Sequence, residues 1–101
     1  MELRPGTRLE SAACDAQFVV VRAPAGTDVD VRCGGSPLQP LGTVTERVGV
    51  TLTGEAVQIG KRYAEEELGL ELLCTRAGEG ALTLGEEPLF LMGAKPLPAS
   101  D

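Results

Sequence analysis

Thirteen glycines and seven prolines punctuate this 101-residue chain throughout, and that spacing favours short strands over long helices. Between the breaks the residues are β-formers. In "QFVVVRAP" Phe18, Val19, Val20 and Val21 make a continuous, mostly β-branched apolar run. In "DVDVRC" Val29, Val31 and Cys33 fall on one face, and Asp28, Asp30 and Arg32 on the other. Pro24, Gly26 and Asp28 mark a turn between the two segments, so the pair reads as a β-hairpin with one wet face.

The same reading extends along the chain. "TRLES" is a short strand after the Pro5-Gly6 turn, and "GGSPLQPLG" is a turn or edge segment, because Pro37 and Pro40 cannot donate to a ladder. "TVTERVGVTLTG" places Val44, Val48, Val50 and Leu52 at even positions and predicts another strand, with Gly49 as a bulge. In "AVQIGKRYAEEELGLELLC" a strand ending near Tyr63, an acidic turn at Glu65, Glu66 and Glu67, and a strand from Leu70 to Thr75 are expected. "TRAGEG" reads as a hairpin turn, and "GALTLGEEPLFLM" adds one or two strands. Residues 93–101 look like an extended tail. The expected fold is a single all-β domain over 1–101, a small sandwich or open barrel of β-hairpins. Phe18, Tyr63 and Phe90 are its only aromatics, so Val and Leu must fill the core.

An internal echo is also visible. "VVVRAPAGTDVDVRCGGSPLQPLG" and "LLCTRAGEGALTLGEEPLFLMG" share one order of features: apolar strand, Arg-Ala, glycine turn, alternating strand, then Gly-x-x-Pro-Leu. Gly34 and Pro37 correspond to Gly85 and Pro88. Either two related hairpins face each other across one core, or two unrelated hairpins happen to look alike.

Charge and composition narrow the function. A net charge of −6, without a basic patch interleaved with aromatics, argues against nucleic acid as a partner. No stretch approaches the ~20 apolar residues of a membrane helix. "MELRPGTRLESAAC" lacks the apolar run of an export signal, so a cytoplasmic location with reduced cysteines is expected. Histidine is absent, which removes histidine acid–base chemistry, His-dependent nucleophiles and His metal ligands. No recognisable catalytic set remains, and the chain reads as non-enzymatic. Lys61, Arg62 and Tyr63 are anion-binding candidates, with a solvated strand edge as the alternative. The C-terminal "KPLPASD" would dock on a partner or a second copy if it is not simply a loose end.

Cys14 precedes the first predicted hairpin and Cys33 ends it, directly before "GGSPL". This arrangement, over about residues 7–41, resembles the desulforedoxin family, including the N-terminal module of desulfoferrodoxins. In that family a Cys-x-x-Cys pair precedes a Val-rich strand, a second strand ends in Cys-Cys-Gly, and four thiolates hold iron or zinc. Ser11 and Cys14 stand where the first pair would be, Arg32 and Cys33 where the second would be, and Gly34, Pro37 and Leu38 follow the pattern. The resemblance implies a rubredoxin-like first hairpin and a metal site in which two of four thiolates are kept. Cys74 in "ELLCTRAG" would add a third thiolate if residues 43–92 pack on the first unit, and Asp15 a carboxylate, giving a zinc or iron site of Cys14, Cys33 and Cys74. A symmetric homodimer sharing two Cys14/Cys33 pairs is another route. Small buried hydrophobes, a disulfide or reactive thiols are the remaining readings of the cysteines. The function expected is a small accessory, metal-binding protein. The alternative is a metal-free protein interaction module, or a small subunit of a larger enzyme, that kept the scaffold and lost the site.

Overall fold

A computed structural model describes residues 2–51, 55–85 and 87–91. It is an all-β sandwich with no helix among the described residues. The strands are β1 (Arg8–Glu10), β2 (Gln17–Arg22), β3 (Val31–Cys33), β4 (Ser36–Pro37), β5 (Gln39–Pro40), β6 (Arg62–Glu65), β7 (Leu70–Arg76), β8 (Leu82–Leu84), β9 (Glu87–Pro88) and β10 (Phe90–Leu91). They form a six-stranded sheet, β10-β6-β7-β2-β1-β5, and a four-stranded sheet, β4-β3-β8-β9, with every pairing antiparallel.

Alternation along the strands selects the core. Leu9, Phe18, Val20, Tyr63, Leu70, Leu72 and Cys74 point inward from the larger sheet. Val31, Cys33 and Leu82 face them from the smaller one, in the alternation expected for Val29–Cys33. The chain changes sheets at two buried leucines. Leu38 lies between β4 and β5, and Leu89 between β9 and β10. Each donates its N–H back into the smaller sheet, Leu38 to Val31 (2.9 Å) and Leu89 to Leu82 (3.0 Å).

Those two crossings expose a pseudo-twofold. Strands β1–β5 and β6–β10 repeat one path, and both sheets are symmetric in strand order about their centres, β2 against β7 and β3 against β8. The registers agree residue by residue. Arg32 faces Thr83 on the axis, Val31 faces Leu84, and Cys33 faces Leu82. In the larger sheet Val19 faces Leu73 on the axis, with Phe18 opposite Cys74 and Val20 opposite Leu72. The echo in the sequence is therefore a structural repeat. Its halves are joined edge to edge through both sheets, rather than being two hairpins that only face each other.

Four expectations are corrected. The hairpin of "QFVVVRAP" with "DVDVRC" does not form, because β2 and β3 lie in different sheets. The Val-rich β2 takes a central place between β1 and β7, which leaves no free edge for β3. "TRAGEG" is likewise a crossing between sheets, not a hairpin turn, since β7 and β8 do not pair. Residues 43–51 are a strap rather than a strand. Their N–H groups go to the neighbouring turns: Val44 to Glu10 Oε2 (3.3 Å), Val48 to the Ala12 carbonyl (2.8 Å) and Thr51 to the Gly34 carbonyl (2.8 Å). The acidic turn sits one residue later than expected, over Glu66–Gly69, with Glu65 closing β6. Leu52 and the expected tail at 93–101 lie outside the described residues.

Candidate thiol site

The turn between β1 and β2 begins with a local device. Ser11 Oγ accepts the N–H groups of Ala13 (3.0 Å) and Cys14 (3.3 Å), and the Ser11 N–H returns to the Ala16 carbonyl (3.0 Å). The turn is thereby closed with Cys14 on its inner side. Ser11 Oγ also donates to the Cys33 carbonyl (3.2 Å), which ties the turn to the end of β3. There Gly34 and Gly35, both at positive φ (66° and 86°), make the two-residue turn into β4, a backbone shape that requires glycine-like freedom.

These contacts bring Cys14 Sγ and Cys33 Sγ to 3.8 Å. Both cysteines are free and buried, at 2 % and 0 % exposure. A loop from the second repeat closes over them. A Cβ on Gly78 would fall 2.7 Å from Cys14 Sγ and 2.6 Å from the Ala16 nitrogen. A Cβ on Gly80 would fall 2.5 Å from the Cα and nitrogen of Gly34. Only a loop without side chains at these two positions passes so close.

The two sulfurs are electrostatically unequal. Burial pushes the Cys14 thiol up, but the backbone N–H groups of Ala16 and Gly80, with the Ser11 and Cys33 side chains, outweigh it together and leave it below its ordinary value. Burial, reinforced by the neighbouring Cys14, pushes the Cys33 thiol far up. The pair therefore ionises first at Cys14, with Cys33 as the protonated neighbour.

No family model, curated protein or solved structure matches the chain.

The remaining predicted residues are placed elsewhere. Cys74 sits on the inner face of β7 opposite Phe18, and its Sγ donates to the Arg76 carbonyl (3.2 Å); burial raises its pKa. Among the described residues no group of three or more Cys, His, Asp or Glu is arranged to hold a metal, so Cys74 does not join Cys14 and Cys33 in one donor set. Asp15 is exposed and pairs with Arg47 (2.7 Å). That guanidinium is the main reason its carboxyl is held below the usual value. Arg32 points outward to Asp30, its Nε at 3.1 and 3.0 Å from the two carboxylate oxygens.

Lys61, Arg62 and Tyr63 do not converge. Lys61 and Arg62 are exposed, and Arg62 Nη1 lies 3.4 Å from Glu71 Oε2. Tyr63 is buried, and its oxygen accepts the Gln58 N–H (2.9 Å). Of Glu65, Glu66 and Glu67, Glu65 turns inward on its own turn, its Oε1 accepting the Glu67 N–H (2.8 Å).

The twofold supplies an internal control. Glu65 occupies the place of Ser11 and makes the same bond to a residue two positions on. Leu68 stands for Cys14 and Leu84 for Cys33. By the register of β3 with β8, Val29 stands where Gly80 crosses the first site. One site carries a thiol pair beneath two glycines, and its twofold counterpart carries leucines.

A four-thiolate iron centre of the kind the resemblance implies does not fit these residues. Its missing donors would be Ser11, whose hydroxyl is already committed to the turn, and Arg32, which is cationic and faces Asp30. The donors present, two thiols 3.8 Å apart, fit two corners of a tetrahedral ion, since metal–sulfur distances of about 2.3 Å separate the sulfurs by about 3.8 Å. Beside Cys14 opens a polar cleft of ≈ 230 Å³ edged by Asp15, Arg47, Arg76, Glu10 and Val44.

Proposed function

We propose that this chain is a small non-enzymatic accessory protein that takes up a thiophilic ion, zinc or iron, on Cys14 and Cys33. The observation that carries the reading is the buried pair at 3.8 Å, with backbone N–H groups directed at the Cys14 sulfur. Two coordination positions are left to ligands from outside the chain, from a protein partner, a second copy or solvent, with the cleft beside Cys14 as the approach. In this reading Cys74 is a core residue.

A metal-free interaction module is the second reading. It is favoured by the second repeat, where the same scaffold stands on leucines with no thiol pair. Metal analysis of protein purified without chelator separates the two. The first reading predicts a fixed stoichiometry near one ion per chain or per two chains, lost in both Cys14→Ser and Cys33→Ser and kept in Cys74→Ser. Metal-free protein that stays metal-free after incubation with zinc or ferrous iron favours the second.

A further inference from the structure

We infer that Cys14 and Cys33 form a reversible intramolecular disulfide by exchange with low-molecular-weight disulfides of the glutathione class, with Cys14 as the attacking thiol and Cys33 resolving. The inference uses the two sulfurs of the proposed metal site but not the metal, and it stands on distance and access.

Distance comes first. The sulfurs lie 3.8 Å apart, so a bond of about 2.05 Å needs them to approach by about 1.7 Å, a movement within the reach of side-chain rotation. The turn holding Cys14 and the end of β3 holding Cys33 are already tied by the Ser11 bond to the Cys33 carbonyl, so no strand has to move. Cys74 is engaged differently: its Sγ donates to its own strand's Arg76 carbonyl (3.2 Å), whereas Cys14 and Cys33 meet sulfur to sulfur.

Access sets the order. Cys14 lines the polar cleft and Cys33 does not. The Arg47–Asp15 ion pair is part of the cleft's lining, and its side chains are 56 % and 59 % exposed, a kind of contact that solvent weakens. Arg47 and Arg76, with Asp15 and Glu10, give the cleft both signs of charge. That suits a disulfide carrying carboxylates and an ammonium, as glutathione does.

The chemistry balances. The Cys14 sulfur attacks one sulfur of the small disulfide, breaks its S–S bond and releases one small thiolate. The Cys33 sulfur, giving up its proton, then attacks Cys14 Sγ, breaks the mixed disulfide and releases the second small thiolate. Two protein thiols are oxidised, one external disulfide is reduced to two thiols, and the two protons pass to the released thiolates.

The test is peptide mapping of chelator-washed, alkylation-quenched protein after incubation with oxidised glutathione. Wild type is expected to yield a Cys14–Cys33 linkage, and Cys33→Ser to accumulate glutathione on Cys14. Cys14→Ser is expected to react at least about tenfold more slowly, with none on Cys33. Glutathione found on Cys33 or Cys74 ahead of Cys14, or a wild-type map with no Cys14–Cys33 linkage, would overturn the inference. The alanine variants serve if a serine variant misfolds, and the wild-type map needs no variant. Metal content, measured on protein never exposed to disulfide, reports on the metal reading separately.

Discussion

At the scale of single residues, the site is defined by what is small. Ser11, Gly78 and Gly80 let two buried sulfurs meet, whereas at the twofold-related site Glu65 stands for Ser11 and Val29, from the first repeat, stands for Gly80. The cysteines were legible in the sequence: Cys14 and Cys33 were expected close together, and they are. The reason was not legible, since the expected hairpin is absent and the contact comes from two turns of different sheets. Gly78 and Gly80 were hidden because their target lies in the other repeat. Tyr63 gives a residue-scale prediction. Burial raises its hydroxyl pKa, so on raising the pH an unfolded chain ionises here before a folded one, and stability falls above about pH 10. Tyr63→Phe should flatten that alkaline fall, measured as the difference from wild type in urea melts. At neutral pH it should cost about 1 kcal/mol for the orphaned Gln58 N–H.

At the scale of elements, β2, β7 and the β6–β7 pair were readable because apolar runs and an acidic turn mark them locally. The Val44–Val50 alternation misled, since even spacing of valines does not show where their backbone hydrogen bonds go. Here Val44 donates to the Glu10 carboxylate and Val48 to the Ala12 carbonyl, and Val48 is left 46 % exposed. The crossing loop between β7 and β8 is the element on which the site most depends. Gly80→Ala sets a Cβ against Gly34 backbone, which cannot swing aside as a side chain would. The expected cost is about 2 kcal/mol or more, read from the denaturation midpoint, with loss of the Cys14–Cys33 proximity. Gly6→Ala serves as the contrast. A Cβ there meets nothing, and only the strain of its positive φ remains, so it should cost less than Gly80→Ala.

For the whole molecule, the repeat is the organising fact. Its two halves share the central pairings β2–β7 and β3–β8, and no sheet belongs to one half alone. The chain should therefore unfold as one unit. Fluorescence of Tyr63, the single tyrosine in a chain without tryptophan, reports on the second repeat, and far-ultraviolet dichroism reports on both. Coincident urea transitions are expected, and two separated transitions would mean the halves are independent. In the sequence the repeat is visible through its order of strands, the shared Arg-Ala and the glycine and proline placement, whereas its core positions have diverged from Phe18 to Leu72 and from Leu9 to Tyr63. That divergence also left one half with a thiol pair at this turn and the other with leucines there. The most direct measurement of the thiolate-pair reading is a cobalt(II) titration followed by absorbance. Wild type and Cys74→Ser should develop the intense near-ultraviolet band of thiolate bound to cobalt, and Cys14→Ser and Cys33→Ser should not. A wild-type protein with no such band, or one whose band survives loss of Cys14 or Cys33, contradicts it.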